Sequence, residues 1–107
     1  MTDLPDFSSL QTRCETISEA YAACNGFTRD DAWFMLKLQE EIGEVTQAFV
    51  KASGRGRTHG KSQSELKQDL TDEVADLFGH LLLFCQHSDI DLAKAMEEKW
   101  LVHEAPS

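Results

Sequence analysis

Residues 63–87 read QSELKQDLTDEVADLFGHLLLFCQH, and in them Leu66, Leu70, Val74, Leu77, Leu81 and Phe84 follow one another in steps of three and four. At about 3.6 residues per turn, that spacing holds the apolar side chains on one stripe of a helix. Toward the N-terminus, Phe34, Leu38, Ile42, Val45 and Phe49 form a second such stripe, and Phe7, Leu10, Cys14, Ile17, Tyr21 and Cys24 form another. Toward the C-terminus, Leu92, Met96 and Trp100 form a shorter one that fades before Pro106. Each stretch opens on a capping-box-like pair, Ser8/Gln11, Thr28/Asp31, Ser62/Glu65 and Ser88/Asp91, and Asn25-Gly26 offers a left-handed stop to the first. The pattern predicts helices over 8–24, 29–52 and 63–87, and a fourth opening at Ser88. No segment alternates with period two, so a sheet has no support. The predicted fold class is all-α. It is a four-helix bundle-like unit in which a long antiparallel central pair is covered by the outer helices. Trp33, Leu36, Phe78, Leu82 and Cys85 lie off the main stripes and ask for a second buried face, which oligomerisation would supply.

The chain of 107 residues suits one domain, 1–107, in which 51–63 is a flexible basic linker. Folding of a compact monomer of this mass buries about 11,000 Å². Ten basic against nineteen acidic residues give a net charge of −9, which argues against binding a nucleic-acid polymer or an anionic membrane. The exception is the linker, where Lys51, Arg55, Arg57 and Lys61 stand without an acid between them. The linker nearly matches two phosphate-loop patterns, but position 55 is Arg where a Walker A needs Gly, and G-x-G-x-x-G fails at His59. Cys14, Cys24 and Cys85 show no C-x-x-C spacing, so reduced, packed thiols are expected rather than zinc or disulfides. There is no signal-peptide pattern and no run of 18 apolar residues, and a cytoplasmic location is expected.

The chemistry lies in the acids. Glu40, Glu41 and Glu44 fall within about 100° of arc on the second helix, and Asp69, Glu73 and Asp76 edge the stripe of the third, with His80 continuing the line. If the two stripes pack together, these edges meet. Two carboxylates about 5 Å apart repel by roughly 3 kcal/mol at an effective dielectric of 20, so a cluster of them needs protonation, solvation, a basic partner or a divalent cation. Lys37 and Lys67 are too few to neutralise six acids, whereas a hard cation with oxygen ligands suits such a cage. The plainer alternative is a solvated helix surface with i,i+4 pairs such as Lys37 with Glu41. A di-iron carboxylate bundle lacks its Glu-x-x-His element here, because Leu77, Phe84 and Trp100 precede the three downstream histidines by three residues.

The segments Glu40-Glu41-Ile42-Gly43-Glu44-Val45 and Asp72-Glu73-Val74-Ala75-Asp76-Leu77 resemble the E-E-x-x-E … E-x-x-D signature of MazG-like all-α nucleoside triphosphate pyrophosphohydrolases, over about residues 29–100. The resemblance implies Mg²⁺, with Mn²⁺ as a substitute, held by Glu41, Glu44, Glu73 and Asp76. It implies Glu40 as the base that deprotonates the attacking water, and hydrolysis of a nucleoside triphosphate to the monophosphate and pyrophosphate in nucleotide-pool house-cleaning. It also suggests Lys99 as a substrate contact, although the Asn that often follows that Lys in the family is replaced by Trp100. Arg55, Arg57 and Lys61 are candidate contacts to the outer phosphates, and Trp33 is a candidate platform for the base. The expected partners are the nucleotide and further copies of the chain in a homodimer or homotetramer. The competing function is a non-catalytic acidic helical dimer that docks or regulates a protein partner.

Overall fold

The computed structural model describes residues 6–105, which form α1 (Phe7–Asn25), α2 (Asp31–Ala52), α3 (Gln63–His87), α4 (Leu92–Lys99) and a 3-10 turn at Leu101–His103, with no strand among the described residues. The helices begin differently from the sequence expectation. Only Ser62 caps as predicted, with the reciprocal bond from Glu65; the other helices start on Asp6, Asp30 and Asp91, which accept from the backbone N–H of Ser9, Trp33 and Lys94. A carboxylate satisfies the free amides as well as a hydroxyl does and also complements the positive end of the helix dipole, so the aspartates displace Ser8, Thr28 and Ser88. Ser88 instead ends α3. Gly26 closes α1 at φ 70°, its N–H reaching the carbonyl of Ala22.

The linker proper is ten residues, 53–62, because α2 continues through Lys51 and Ala52. It folds back through Arg55 N–H to the Val50 carbonyl and Lys61 N–H to the Thr58 carbonyl, with Gly54, His59 and Gly60 at positive φ. So short a connection returns α3 antiparallel to α2. Two contacts fix the register and one shared cavity wall agrees with it. The Phe34 ring stacks on His87 at 4.3 Å, His80 Nε2 lies 3.8 Å from Glu41 Oε1, and Glu44 shares a cavity wall with Glu73.

The seam between the two helices lies slightly round from the predicted stripe. On α2 the buried residues are Phe34, Glu41 and Ala48, a seven-residue repeat, while Leu38 and Val45 are half-buried and Ile42 and Phe49 are about half exposed at 50% and 53%. On α3 Leu66 is buried, but Val74 and Leu81 are exposed. α1 packs against α3, where Gln11 Nε2 donates to the Leu82 carbonyl and the Phe7 ring meets Phe78 edge-on at 6.5 Å. This corrects the reading of Leu82 and Cys85 as part of a face left for another copy, since both are buried within the single chain. Arg29 ties α1 to the start of α2 by a two-pronged bond to Glu15, 2.6 and 3.0 Å. The other outer helix does not cover the pair as expected: α4 packs chiefly on its own 3-10 extension, because eight residues offer too short an apolar stripe, and Met96 and Trp100 remain exposed.

The result is an open unit. Its radius of gyration is 16.8 Å against about 13 Å for a compact chain of this length. It exposes 8221 Å², about 2,000 Å² more than a compact monomer of this mass, so folding buries less than the sequence-based figure. Met35, Ile42 and Phe49 each follow a seam position of α2 by one residue, as Val74 and Leu81 follow Glu73 and His80 on α3. One residue is about 100° of turn, and reversing one helix brings both sets to the same side of the hairpin. The acids occupy the opposite side. Of the cysteines, Cys85 is buried and Cys14 half-buried, but Cys24 is exposed rather than packed; all three are free thiols.

Candidate functional site

Glu41 sits in the seam, 8% exposed, and is the one buried charged residue among those described. It arrives there because the 34/41/48 repeat, not the 34/38/45 stripe, faces α3. From α3, Glu73 and Asp76 project one turn apart toward the same point. Oxygens of Glu41, Glu73 and Asp76 lie within 4.8 Å of one another. Burial, then the charges of Asp76, Glu73 and Glu40, raise the pKa of Glu41, with Lys37 opposing. Burial and the charges of Asp76, Glu44, Asp72 and Asp69 raise that of Glu73. Both carboxyls are therefore strained toward protonation by their neighbours. Glu44, exposed one turn beyond Glu41, is not one of the three converging acids but lines a cavity with Glu73.

Two cavities flank the acids. The first, about 250 Å³, is walled by Glu44, Asp69, Asp72 and Glu73 on the acidic side and by Lys51 and Lys61 from the linker region. Lys61 Nζ is held 2.6 Å from Asp69 Oδ2, and this bond raises the lysine's pKa. The second, about 650 Å³, takes Glu41, Asp76, His80, Lys37 and Trp33 from the hairpin and Ser18, Tyr21, Phe27 and Thr28 from α1 and the turn after it. Its aromatic wall is continuous. Tyr21 meets Phe27 edge-on at 5.9 Å, Phe27 meets Trp33 at 5.6 Å, and Trp33 meets His80 at 6.0 Å. His80 has a lowered pKa, from burial and then the charge of Lys37.

The remaining candidates are dispersed. Glu40 is exposed and accepts from Lys37 Nζ at 3.3 Å, so Lys37 pairs with Glu40 rather than with Glu41. Trp33 lines the aromatic cavity beside Glu41. Of the linker cations, Lys61 reaches the first cavity, Arg57 lines a separate one with Thr46, Val50 and His59, and Arg55 is exposed and borders neither cavity beside the acids. Lys99 lies on α4 and lines neither cavity beside the acids. Sequence reasoning missed Tyr21, Phe27 and Ser18, which it left in the core or unremarked; the signal available was Asn25-Gly26, a stop after which Phe27 comes to lie between Tyr21 and Trp33.

The donor set fits a hard divalent cation. It offers oxygen ligands only, on two facing helices, and their mutual repulsion is what a cation relieves. The sequence model of the phosphoribosyl-ATP pyrophosphohydrolase family matches residues 10–103. The chain belongs to this family. It is an all-α pyrophosphohydrolase family related to the MazG-like proteins, so the match supports the enzyme class implied by the motifs while naming a different branch. The match begins in α1, so the family's unit includes the helix that walls the aromatic cavity, which the motif resemblance left out. No curated protein and no solved structure gave a significant match. No helix among the described residues is long and apolar enough to cross a membrane.

Proposed function

We propose that the chain is a cation-dependent nucleotide pyrophosphohydrolase, cleaving a nucleoside triphosphate, or a nucleotide such as phosphoribosyl-ATP that carries the same triphosphate, to the monophosphate and pyrophosphate. The observation that carries this is the convergence of Glu41, Glu73 and Asp76 beside an aromatic-walled cavity. A nucleotide polyphosphate is the substrate class that uses both, a flat apolar wall for its base and cation-loaded carboxylates for its polyanion. Glu41, Glu73 and Asp76, with Glu44 adjoining, would hold Mg²⁺ or Mn²⁺, which when bound supplies the positive charge that neutralises phosphate oxygens. Trp33 carries the base, with Tyr21 and Phe27 closing the wall. Glu40 takes the proton of the attacking water as its oxygen bonds to the α-phosphorus; the bridging P–O bond breaks and its electron pair leaves with pyrophosphate. Lys61 contacts the outer phosphates across the first cavity, and Arg55 and Arg57 join it only if the linker closes. Lys99, which lines neither cavity beside the acids of its own chain, serves a neighbouring copy.

That neighbour is part of the reading. A second copy covers Met35, Ile42, Phe49, Val74 and Leu81 in a homodimer or a homotetramer. Supporting it, the surface excess of about 2,000 Å² matches what each partner of an obligate interface loses, about 1,000–2,500 Å². Free thiols and the absence of a spanning helix among the described residues are compatible with the cytosol. The test is pyrophosphate release from a panel of ribo- and deoxynucleoside triphosphates and phosphoribosyl-ATP, with Mg²⁺, with Mn²⁺ and with excess chelator. Cation-dependent release that is lost in Glu41→Gln and Glu73→Gln is expected. A folded, assembled protein that releases none from any of them is instead the non-catalytic acidic module.

A further inference from the structure

Among the described residues Lys37 is the only Lys or Arg lining the aromatic cavity, and the mechanism above gives it no work. It stands one turn after Trp33 and one turn before Glu40 and Glu41. Its ammonium lies 5.9 Å from the centre of the Trp33 ring and 3.3 Å from Glu40 Oε1, and its side chain is 26% exposed. At 1.5 Å of rise per residue, Trp33, Lys37 and Glu41 are spaced about 6 Å apart along one edge of α2. The row runs ring, cation, carboxylates, which is the order in which a nucleotide presents base, first phosphate and the anhydride to be cut. The present partner of Lys37 is a weak one, since an i,i+3 pair with an exposed glutamate is easily exchanged. A phosphate entering between Trp33 and the acids offers the ammonium a stronger, charge-assisted bond.

Resting on the triphosphate reading of the site, we propose that Lys37 is the α-phosphate ligand, and that it binds by trading Glu40 Oε1 for a phosphate oxygen. The exchange does three things. It neutralises charge at the phosphorus that water attacks, and it frees Glu40 to accept from that water only once a nucleotide is in place. It also draws the ammonium off the Trp33 ring, which gives the step an optical signature.

The experiment uses the full chain carrying Trp100→Phe, leaving Trp33 as the only indole. The wild-type site, Lys37→Met and Lys37→Arg are titrated, with Mg²⁺ present, with the α,β-methylene analogue of a nucleotide that the wild type cleaves and with its bare nucleoside. Lys37→Met is expected to weaken the analogue about ten- to a hundredfold while nucleoside binding stays unchanged, and Lys37→Arg to recover most of the loss. In the wild-type site the analogue should change Trp33 emission differently from the nucleoside, and that difference should vanish in Lys37→Met. Equal weakening of both ligands makes Lys37 a prop for the ring and overturns the proposal, as does no weakening of either. A wild type that cleaves nucleotide while Lys37→Met is unaffected sinks this inference alone. A wild type that neither binds nor cleaves any nucleotide sinks the underlying reading and this one with it.

Discussion

The two sides of the α2–α3 hairpin are built on the same two helices yet carry opposite liabilities. One side gathers Glu41, Glu73 and Asp76 within 4.8 Å, with Glu40, Glu44, Asp69 and Asp72 around them. The other leaves Met35, Ile42, Phe49, Val74 and Leu81 facing water. The first is electrostatically strained and the second hydrophobically unsatisfied, and neither can be relieved from within the chain. Burial could not hide the acids without raising their cost, and the short α4 cannot cover the apolar edge. The lesson is that this fold leaves two different faces unsatisfied, one that a cation with its substrate would relieve under the function proposed above and one that a second copy would cover.

Each side can be broken separately. Glu41→Gln should lower turnover by about three orders of magnitude, because losing a ligand to the catalytic cation costs several kcal/mol at the transition state. The same variant should be at least as stable as wild type in chelator, as thermal melts will show, and should lose the stabilisation by Mg²⁺, which for wild type is about 2.7 kcal/mol at a hundred times Kd. A marked loss of chelated stability would mean that Glu41 is a structural residue. Ile42→Asp plants a charge on the apolar edge, where burial against a second copy would cost several kcal/mol; light scattering should find monomers in place of the dimer or tetramer proposed for wild type. Asp30→Ala removes an acid that is well partnered, accepting from Trp33 N–H, and should cost about 1 kcal/mol, the reverse of the outcome at Glu41.

The finest contrast is with pH. Glu41 and Glu73 bind protons more tightly folded than unfolded, so without cation their contribution to stability is fully present below about pH 4.5 and is lost as pH rises through their raised folded values. Glu15, held down by its hydrogen bonds to Arg29, has the opposite sign: its contribution is present above 4.5 and is lost as the solution is acidified. Subtracting the stability of Glu41→Gln from that of wild type cancels Glu15. The remaining difference should favour the variant near neutrality and close toward pH 4 in urea titrations done with chelator.

Much of this was legible before any coordinates. The bounds of α3 and the side-by-side acids follow from periodicity, since Glu73 and Asp76 at i,i+3 must share a face whatever they pack against. The exact seam was not. A stripe of five apolar residues is wide enough to be turned by a fraction of a turn, and only the contacts of Phe34 with His87 and of Glu41 with His80 choose the setting. Three of the four caps were misread because hydroxyls were favoured over aspartates that serve equally well. The aromatic wall was hidden for a different reason: Tyr21, Phe27 and Trp33 belong to three successive elements, and nothing local says that they meet.

That meeting hangs on the corner at Gly26. A Cβ there would touch nothing within 4 Å, yet φ is +70°, so the objection to a side chain is torsional rather than steric. A residue that contacts no ligand thus sets the angle at which the roof of the pocket is hung. Replacing it by a β-branched amino acid is expected to tilt Phe27 away from the indole, opening the aromatic cavity from the outside while the carboxylates on α2 and α3 stay in place.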